Sequence, residues 1–357
     1  ICLCARATVM KLRPAAFAIP GDITQPTGGY YYEKRLLEGL RAQGRDVRRL
    51  RIGASFPDPT PEDMAGLIAQ LNALEPDRPV ILDGFLSATI DTEALSRLAV
   101  PTVAMVHHPL ALESGLDATR RDFLYRLERD NLALVSHVLV PSPHTLEILR
   151  DRYAVAADRI TCARPGTDRP VLPPAAVDPP LVLSVGIQHP RKGHDILLRS
   201  LARLRSLGWT AVIVGAAYDR VHAEELKRLR EELDLGSRVR LAGRVSDDEL
   251  ALLYSQASVF ALATRYEGYG LVFDEALAAG LPIVSCSTGA VPDTVPADAA
   301  RLVPAEDPDA FSAALSDLLT DTAYRSRLAA AARFAGRRLP TWSDTAGTAG
   351  DVLDSLP

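Results

Sequence analysis

The sequence has no hydrophobic run close to the roughly 18 residues that a membrane-spanning helix needs. It has only four cysteines in 357 residues, too few and too scattered for a disulfide framework. This favours reduced thiols in a cytoplasmic protein. The net charge is −5, which argues against a nucleic-acid binder whose affinity rests on phosphate neutralisation. A hydrophobic content of 47% and a charged content of 24% predict globular domains with sizeable cores.

Signatures of several common enzyme classes are also missing. The chain has no P-loop motif, no H-E-x-x-H, no C-x-x-C and no G-x-S-x-G nucleophile elbow. Gly268-Tyr269-Gly270 begins a G-x-G-x-x-G pattern, but its third glycine is absent. Dehydrogenases, P-loop enzymes and zinc hydrolases therefore lose their main support. We expect no cofactor and a metal-independent site.

Short apolar runs alternate with amphipathic helical stretches along the whole chain, a pattern that predicts parallel sheets built from βαβ units. Residues 169–180, RPVLPPAAVDPP, hold five prolines in twelve positions, which is typical of a linker. The sequence therefore predicts an α/β fold of two Rossmann-like, doubly wound domains facing a cleft, where strand carboxyl ends bind ligands. The predicted parts are an N-terminal domain (10–168), a hinge (169–180), a C-terminal domain (181–340) and a last segment (341–357) that packs back on the N-terminal domain.

The segment EGYGLVFDEALAAGLP, residues 267–282, places a glutamate on each side of a glycine-rich turn. The predicted helix after Gly270 has its first turn at Leu271–Val272, where free N–H groups and the positive end of the helix dipole suit a diphosphate. Glu275, one turn into the helix, would accept from ribose hydroxyls, and Glu267 would bind sugar hydroxyls or a developing positive charge. On spacing alone, an alternative stays open in which Glu275 only complements the helix dipole.

This segment resembles the E-x7-E motif of the retaining glycosyltransferases of family 4, which have the two-domain GT-B fold. Residues 185–201, VGIQHPRKGHDILLRSL, are similar to the family's G-x-x-x-x-K-G loop. Residues 26–40, PTGGYYYEKRLLEGL, resemble its glycine-rich loop, and VHHP at 106–109 resembles the segment with its cleft histidine. The resemblance covers roughly residues 20–340. It implies a retaining enzyme that transfers a sugar from a nucleotide-diphosphate donor to an acceptor hydroxyl.

The resemblance also implies roles for individual residues. His107, Lys192 and Glu267 would be catalytic, with Lys192 neutralising the donor diphosphate and Glu267 holding the transferred sugar. Many members have an arginine directly after the strand glycine, where this chain has Ile187, so Arg191 is expected to help instead. The donor-binding residues implied are Gly28, Gly29, Arg191, Lys192, Arg244, Val245, Glu267, Gly270, Leu271, Val272 and Glu275.

Two assignments on the N-terminal side have alternatives. His107 and His108 are adjacent, so on a strand they would point to opposite sides and only one would face the cleft. His107 matches the family position better, and a hydrogen-bonded, near-buried histidine is the alternative. Asp83 follows the strand-like PVIL, where it either touches the acceptor or forms an Asp-Gly turn.

The expected partners are a nucleotide-sugar donor and a sugar or lipid-linked acceptor, with no nucleic acid. A basic cluster of seven residues between positions 34 and 51 indicates either a solvated helix face or peripheral contact with the inner face of the membrane. Cell-envelope polysaccharide or glycolipid synthesis is the expected role. A GT-B-type sugar-nucleotide epimerase and a catalytically silent sugar-nucleotide-binding subunit are the alternatives. We expect residues 1–9 to be a disordered extension or a misassigned start.

Overall fold

A computed structural model of the chain describes residues 12–25, 27–113 and 115–357, so the expectation for residues 1–9 lies outside the described part. The first sheet has six parallel strands in the order β2-β1-β3-β4-β5-β6. These strands are β1 (Ala15–Pro20), β2 (Val47–Ile52), β3 (Val80–Leu82), β4 (Thr102–Met105), β5 (His137–Val140) and β6 (Ile160–Cys162).

The second sheet also has six parallel strands, in the order β12-β11-β10-β7-β8-β9. No helix or strand lies in residues 163–180, between the two sheets. The prediction of two doubly wound α/β sheets is confirmed. The strands are β7 (Leu181–Val185), β8 (Thr210–Val214), β9 (Val239–Gly243), β10 (Ala257–Leu262), β11 (Ile283–Cys286) and β12 (Ala300–Val303).

Fourteen α-helices accompany these strands in the described residues. The helices before residue 163 are α1 (Gly28–Ala42), α2 (Pro61–Asn72), α3 (Gly84–Thr89), α4 (Thr92–Ser96), α5 (Ala118–Leu134) and α6 (Pro143–Tyr153). Those after residue 180 are α7 (His194–Ala202), α8 (Arg220–Glu232), α9 (Asp247–Gln256), α10 (Leu271–Ala278), α11 (Val291–Thr294), α12 (Pro308–Thr320), α13 (Thr322–Gly336) and α14 (Trp342–Ser355).

The central strands, such as β1, are apolar along their length because helices cover both faces of each sheet. All six residues of β1 are buried. Ala16 and Ala18 belong to the hydrophobic cluster on one face, whereas Ala15, Phe17 and Ile19 belong to the cluster on the other. Side chains that alternate between two cores explain why these runs lack the polar alternation of a half-exposed strand.

The strand order creates a switch point in each sheet. Chain order reverses between the neighbours β1 and β3 in the first sheet and between β7 and β10 in the second. Loops that leave the carboxyl ends of such strands run in opposite directions and leave a crevice, where open α/β sheets bind their ligands. The segments after β1, β3, β7 and β10 are therefore the places to look for a site.

The C-terminal helix returns to the first domain. α14 packs on α1 so closely that a Cβ on Gly39 would lie 2.7 Å from the Cβ of Ala346. The buried Arg45 guanidinium also forms an ion pair of 2.7 Å with Asp354 of α14. The helix thus belongs structurally to the first sheet although it follows the second in sequence.

Two chain segments pass between the domains side by side. Arg169 donates a hydrogen bond of 2.6 Å from Nη1 to the carbonyl of Gly336. The amide of Thr167 donates to the carbonyl of Pro340 at 2.9 Å. The outgoing proline-rich segment and the returning segment before α14 are therefore bonded to each other.

The basic cluster of residues 34–51 is mostly used within the chain. Arg35, Arg45 and Arg48 form ion pairs with carboxylates distant in sequence. Arg41 and Arg49 donate to backbone carbonyls. Most of the positive charge in this stretch therefore holds the first domain together. Among the described residues, no helix is long and apolar enough to cross a bilayer.

Candidate active site

The loops after β7 and β10 meet at a buried ion pair. Lys192 ends a short 3₁₀ turn, and its Nζ lies 2.6 Å from Oε1 of Glu267. Thr264 donates to the same carboxylate at 3.0 Å, and Nη1 of Arg191 lies 3.5 Å from its other oxygen. Gly193 follows with φ +61°, and a Cβ there would lie 1.9 Å from the carbonyl oxygen of Ala263. Only glycine lets the turn approach β10 closely enough to bring Lys192 to Glu267.

The ion pair is surrounded by protein, since only 12% of the Lys192 side chain and 5% of the Glu267 side chain are exposed. Burial acts to raise the pKa of Glu267, but the nearby charges of Lys192 and Arg191 outweigh it and hold that pKa below its ordinary value. Burial lowers the pKa of Lys192. Two cations face one carboxylate, so the site keeps an excess of positive charge for an anionic ligand.

The start of α10 lies directly after this carboxylate. Gly270 has φ +89° and forms the N-cap, and the helix begins at Leu271. These boundaries are the ones that the sequence predicts. The N–H groups of the first turn lack partners within the helix, so they add a second positive feature beside the Lys192–Glu267 pair.

Glu275 lies on the first part of α10 with a partner of its own. It accepts a hydrogen bond of 2.7 Å from the hydroxyl of Tyr254 in α9. Burial raises the pKa of Glu275 to about 7, and the Tyr254 hydroxyl acts in the opposite direction. The two glutamates of the E-x7-E segment therefore have different partners and different proton affinities.

Gly28 and Gly29 face these elements from the first domain. The resemblance implies a glycine-rich loop within residues 26–40, but α1 begins at Gly28, with Thr27 as its N-cap. A Cβ on Gly28 would lie 3.5 Å from Cδ1 of Leu271, and one on Gly29 would lie 3.4 Å from Cδ2 of His107. The starts of α1 and α10 thus meet across the cleft, beside the histidine.

His107 and His108 lie in the loop after β4, which ends at Met105, so strand alternation is not what separates them. His107 packs edge-on against Tyr32, with ring centroids 5.2 Å apart, on the α1 side of the cleft. His108 turns away and its Nε2 lies 2.5 Å from Oε1 of Glu113. Burial lowers the pKa of His107, so the ring is neutral at neutral pH.

The loop that contains Gly268, in the second domain, contacts the first domain beside His107. The backbone carbonyl of Gly268 accepts a hydrogen bond of 2.7 Å from the Ser142 hydroxyl at the start of α6. Thr145 of α6 donates to the carbonyl of His107 at 3.3 Å. A Cβ on Gly268 would lie 2.7 Å from that His107 carbonyl. The glycine therefore lets the second domain approach the histidine loop.

Asp83 and Glu33 are two buried carboxyl groups of the first domain. Asp83 caps α3 by accepting a hydrogen bond of 2.7 Å from the amide of Phe85, so it begins a helix rather than a simple Asp-Gly turn. Burial, reinforced by the neighbouring Glu33, raises the pKa of Asp83 well above its ordinary value. Burial likewise raises the pKa of Glu33 to about 7.

The other predicted residues lie on the loops after β7 and β9. Arg244 and Val245 follow β9, the edge strand, and the Arg244 side chain is exposed. Ile187 occupies the position after the β7 glycine, and Arg191 donates from its own loop to the carbonyl of Tyr266 at 3.1 Å. The roles of Arg191, Arg244 and Val245 toward a donor stay predictions.

The described residues contain no group of three or more His, Cys, Asp and Glu side chains arranged to hold a metal ion. The sequence does contain one D-x-D triplet, Asp307-Pro308-Asp309, a spacing that binds metal in some transferases. Here the Asp307 carboxylate accepts from the amides of Asp309 and Ala310 and caps α12. This triplet is thus explained by the helix that it starts.

Sequence reasoning missed Glu33 and Tyr254. A signal for Glu33 was present, because positions 33, 36, 37 and 40 form one face of α1 and all four are buried. A carboxylate in line with three leucines on a buried face indicates a functional or paired group. No pattern in the sequence indicated that Tyr254 would reach Glu275.

Family models identify both halves of this arrangement. Residues 27–169 match the model described as Glycosyltransferase Family 4, and residues 172–334 match that of Glycosyl transferases group 1. The chain belongs to glycosyltransferase family 4. The two matches meet at the proline-rich segment, so they divide this family-4 chain where its two sheets separate.

Curated relatives of the family-4 chain include a D-inositol 3-phosphate glycosyltransferase of Xylanimonas cellulosilytica, 34% identical over 56% of this chain and 52% of the relative. The MMP alpha-(1->4)-mannosyltransferase of Mycolicibacterium hassiacum is 28% identical over 71% of this chain and 64% of that protein. The matched stretch therefore spans about half to two thirds of these relatives' own lengths.

Solved structures agree in fold at low identity. The sucrose-phosphate synthase of Thermosynechococcus elongatus has a TM-score of 0.81 at 22% identity, covering 95% of this chain and 98% of that one. HepE of Anabaena, solved in complex with UDP and glucose, has a TM-score of 0.75 at 16% identity, covering 97% of this chain and all of that one. These similarities confirm the GT-B fold.

Proposed function

We propose that the protein is a retaining glycosyltransferase that moves a sugar from a nucleotide-diphosphate donor to an acceptor hydroxyl. The observation that carries the proposal is the convergence of Lys192, Arg191 and the start of α10 on Glu267, opposite Gly29 and His107. Family membership supports the same activity. The group of cations and free amides is suited to a diphosphate, and the carboxylate beside it to a sugar ring.

Donor binding would change the partner of Lys192 from Glu267 to the diphosphate. In the ligand-free chain, Lys192 satisfies Glu267 at 2.6 Å. A diphosphate that approaches the amides of Leu271 and Val272 would draw the ammonium toward its oxygens. Glu267 would keep its bond from Thr264 at 3.0 Å and turn its freed oxygen to sugar hydroxyls. Glu275, one turn further along, would accept from the ribose.

Catalysis would rest on stabilising the leaving diphosphate. Lys192, Arg191 and the α10 amides would neutralise its developing charge in a site with little water. Glu267 would stabilise the oxocarbenium-like sugar, and the acceptor would attack on the face that the diphosphate leaves, which retains the anomeric configuration. Closure of the domains would exclude water that otherwise hydrolyses the donor.

The names of the relatives, rather than the site, support a proposal for the acceptor class. One relative is named a D-inositol 3-phosphate glycosyltransferase, and another is a GDP-mannose-dependent alpha-(1-6)-phosphatidylinositol monomannoside mannosyltransferase of Mycolicibacterium smegmatis. We therefore propose a polyhydroxylated sugar or lipid-linked acceptor in cell-envelope polysaccharide or glycolipid synthesis. The free thiols of Cys162 and Cys286 support a cytoplasmic location. Any contact with the inner face of the membrane would rely mainly on Lys34 and Arg51, since the other cations of the cluster have partners.

Incubating the purified protein with a panel of nucleotide sugars, with and without acceptors, tests the proposal. Acceptor-dependent release of the nucleoside diphosphate, with an α-linked product from an α-linked donor, is expected. Conversion of the donor alone would replace transfer with epimerisation, and binding without turnover would leave a silent sugar-nucleotide-binding subunit. Activity should be unaffected by a chelator, which tests metal independence.

A matched pair of lysine variants ties the activity to the site. Lys192→Met should abolish most turnover because the diphosphate loses its closest cation. Lys227→Met removes an exposed lysine of α8 that pairs with Glu224 at 2.7 Å and should leave turnover unchanged. Equal activity in the two variants would refute the assignment of Lys192.

A further inference from the structure

Behind His107, on the side away from the second domain, lie two buried carboxyl groups, Glu33 and Asp83. The exposed fraction is 0% for Glu33 and 6% for Asp83. Glu33 projects from α1, which follows β1, and Asp83 follows β3, so the two flank the switch point of the first sheet. Each of them acts on the pKa of the other, so the two carboxyl groups are neighbours. A fully buried carboxyl group is rarely found in a protein core unless another group pairs with it or forms a hydrogen bond to it.

The ring of His107 is oriented with one edge toward this pair. Its Nε2 lies 3.7 Å from Oε1 of Glu33 and is buried without a hydrogen-bond partner, and both Glu33 oxygens lack one as well. Cδ2 of the same ring faces Gly29. The exposed 23% of the His107 side chain therefore lies at the opposite edge, which carries Nδ1 and borders the cleft.

The charges around Glu33 favour one proton and one negative charge in the acid pair. Glu33 raises the pKa of Asp83 and Asp83 lowers that of Glu33, so Asp83 is the group of the pair that keeps a proton, while burial raises the pKa of both. Arg49, whose Nε is buried, acts in the opposite direction on Glu33. Tyr30 and Tyr32 of α1 also face the pair, and burial raises their pKa values, so they stay neutral.

We propose that Glu33, supported by Asp83, is a positioning residue that fixes His107 in the tautomer with its proton on Nε2. Nδ1 then presents a lone pair to the cleft, where it accepts a hydrogen bond from a hydroxyl of the transferred sugar. The substrate role of His107 rests on the proposed function, whereas the tautomer is a property of the free protein. The carboxylate is the acceptor that faces Nε2 at 3.7 Å, and a shift of under one ångström closes this contact to a hydrogen bond.

A neutral histidine needs a hydrogen-bond acceptor beside one nitrogen if only one tautomer is to form. A neutral imidazole in an apolar site has two tautomers of similar energy, and only an acceptor at one nitrogen selects between them. A histidine with the proton on Nδ1 would donate to a sugar hydroxyl oxygen instead of accepting a hydrogen bond from the hydroxyl. The buried carboxyl pair removes that second state.

Nuclear magnetic resonance of protein labelled with ¹⁵N-histidine tests the tautomer directly. The chain has only seven histidines, and the signals that vanish in His107→Gln assign this one. At pH 7 we expect an Nε2–H, neutral His107 with an unprotonated Nδ1. A wild-type spectrum with the proton on Nδ1, or with both tautomers in exchange, overturns the proposal without any variant.

Variants of Glu33 then separate positioning from packing. Glu33→Leu keeps the volume but removes the acceptor, so the His107 signals should become those of mixed tautomers. If the proposed transfer is found, its kcat/KM should fall about tenfold, the value of one hydrogen bond to the sugar. Glu33→Gln keeps an amide oxygen for Nε2–H and an NH₂ for Asp83, and should restore both readouts.

Glu128→Gln is the matched control. This carboxyl group is also buried in the first domain, but its described hydrogen bond comes from the amide of Leu110, three residues after His107, and not from an imidazole. Its variant should leave the His107 tautomer unchanged. An unchanged tautomer in Glu33→Leu would refute the proposal even where activity falls. A shifted tautomer without any transferase activity would refute the proposed function and leave the positioning role intact.

Discussion

Replacing Glu267 by leucine should destabilise the second domain more than replacing its partner Lys192 by methionine. Without Glu267, the Lys192 ammonium stays buried beside Arg191, with no other carboxylate among its described contacts. Leaving one charge of a buried pair alone typically costs about 3–5 kcal/mol. Without Lys192, the Glu267 carboxylate keeps Thr264 at 3.0 Å and Arg191 at 3.5 Å. That variant loses one charge-assisted hydrogen bond, about 1.5–3 kcal/mol.

The two changes should also be coupled. In the double variant both charges are absent, so its free energy of unfolding should fall by about 1–3 kcal/mol less than the sum of the single losses. Urea unfolding followed by tryptophan fluorescence measures this cycle. Trp209 is 1% exposed in the second domain, and a Trp342→Phe background removes the signal of α14, so the emission reports the second domain alone.

Two outcomes would contradict this reasoning. If Lys192→Met costs as much as Glu267→Leu, then Arg191 and Thr264 do not hold the carboxylate as described. If the coupling is below about 0.5 kcal/mol, the two residues do not act as an ion pair. The Lys227→Met variant serves as control, and its free energy of unfolding should be within about 0.5 kcal/mol of the parent's because its ion pair is exposed.

Three further predictions test other parts of the site and the fold. Burial raises the pKa of Glu275 to about 7, so its carboxylate becomes protonated as the pH falls through 7. Calorimetric titration should therefore show weaker nucleoside-diphosphate binding at pH 6 than at pH 8. Glu275→Gln should remove this pH dependence. Gly268→Ala places a methyl group 2.7 Å from a carbonyl oxygen of the histidine loop. This clash should separate the domains and lower turnover at least tenfold. Gly66→Ala, with open space at its Cβ, is the control and should retain turnover. Gly39→Val should lower the free energy of unfolding by about 1–3 kcal/mol through overpacking against α14, measured against Gly347→Ala, which meets nothing.

Local rules predicted the start of α10 because glycine and helix periodicity determine it within a few residues. Gly270 has φ +89° and caps the helix, and Gly280 follows its end with φ +74°. Both conformations are ones that glycine adopts at little cost, so the sequence alone indicates them. The alternation of apolar runs likewise predicted two parallel sheets, since buried strands and amphipathic helices have different periods.

Pairings between distant residues could not be predicted in the same way. Tyr254 of α9 reaches Glu275 of α10 because both helices contribute to one hydrophobic cluster, and no local pattern encodes that contact. Gly28 and Gly29 suggested a loop, but Thr27 caps a helix there and overrides their low helix propensity. His107 and His108 separate because one packs against Tyr32 and the other contacts Glu113, after the strand has already ended.

The return of α14 to the first domain has a mechanical consequence. Two covalent connections join the domains, and Arg169 and Thr167 bond them into one narrow band. A single flexible tether would permit twisting and sliding, whereas a double band permits chiefly rotation about one line. Opening and closing of the cleft should therefore follow one reproducible path, which returns the α10 start to the same place beside Gly28 after every turnover.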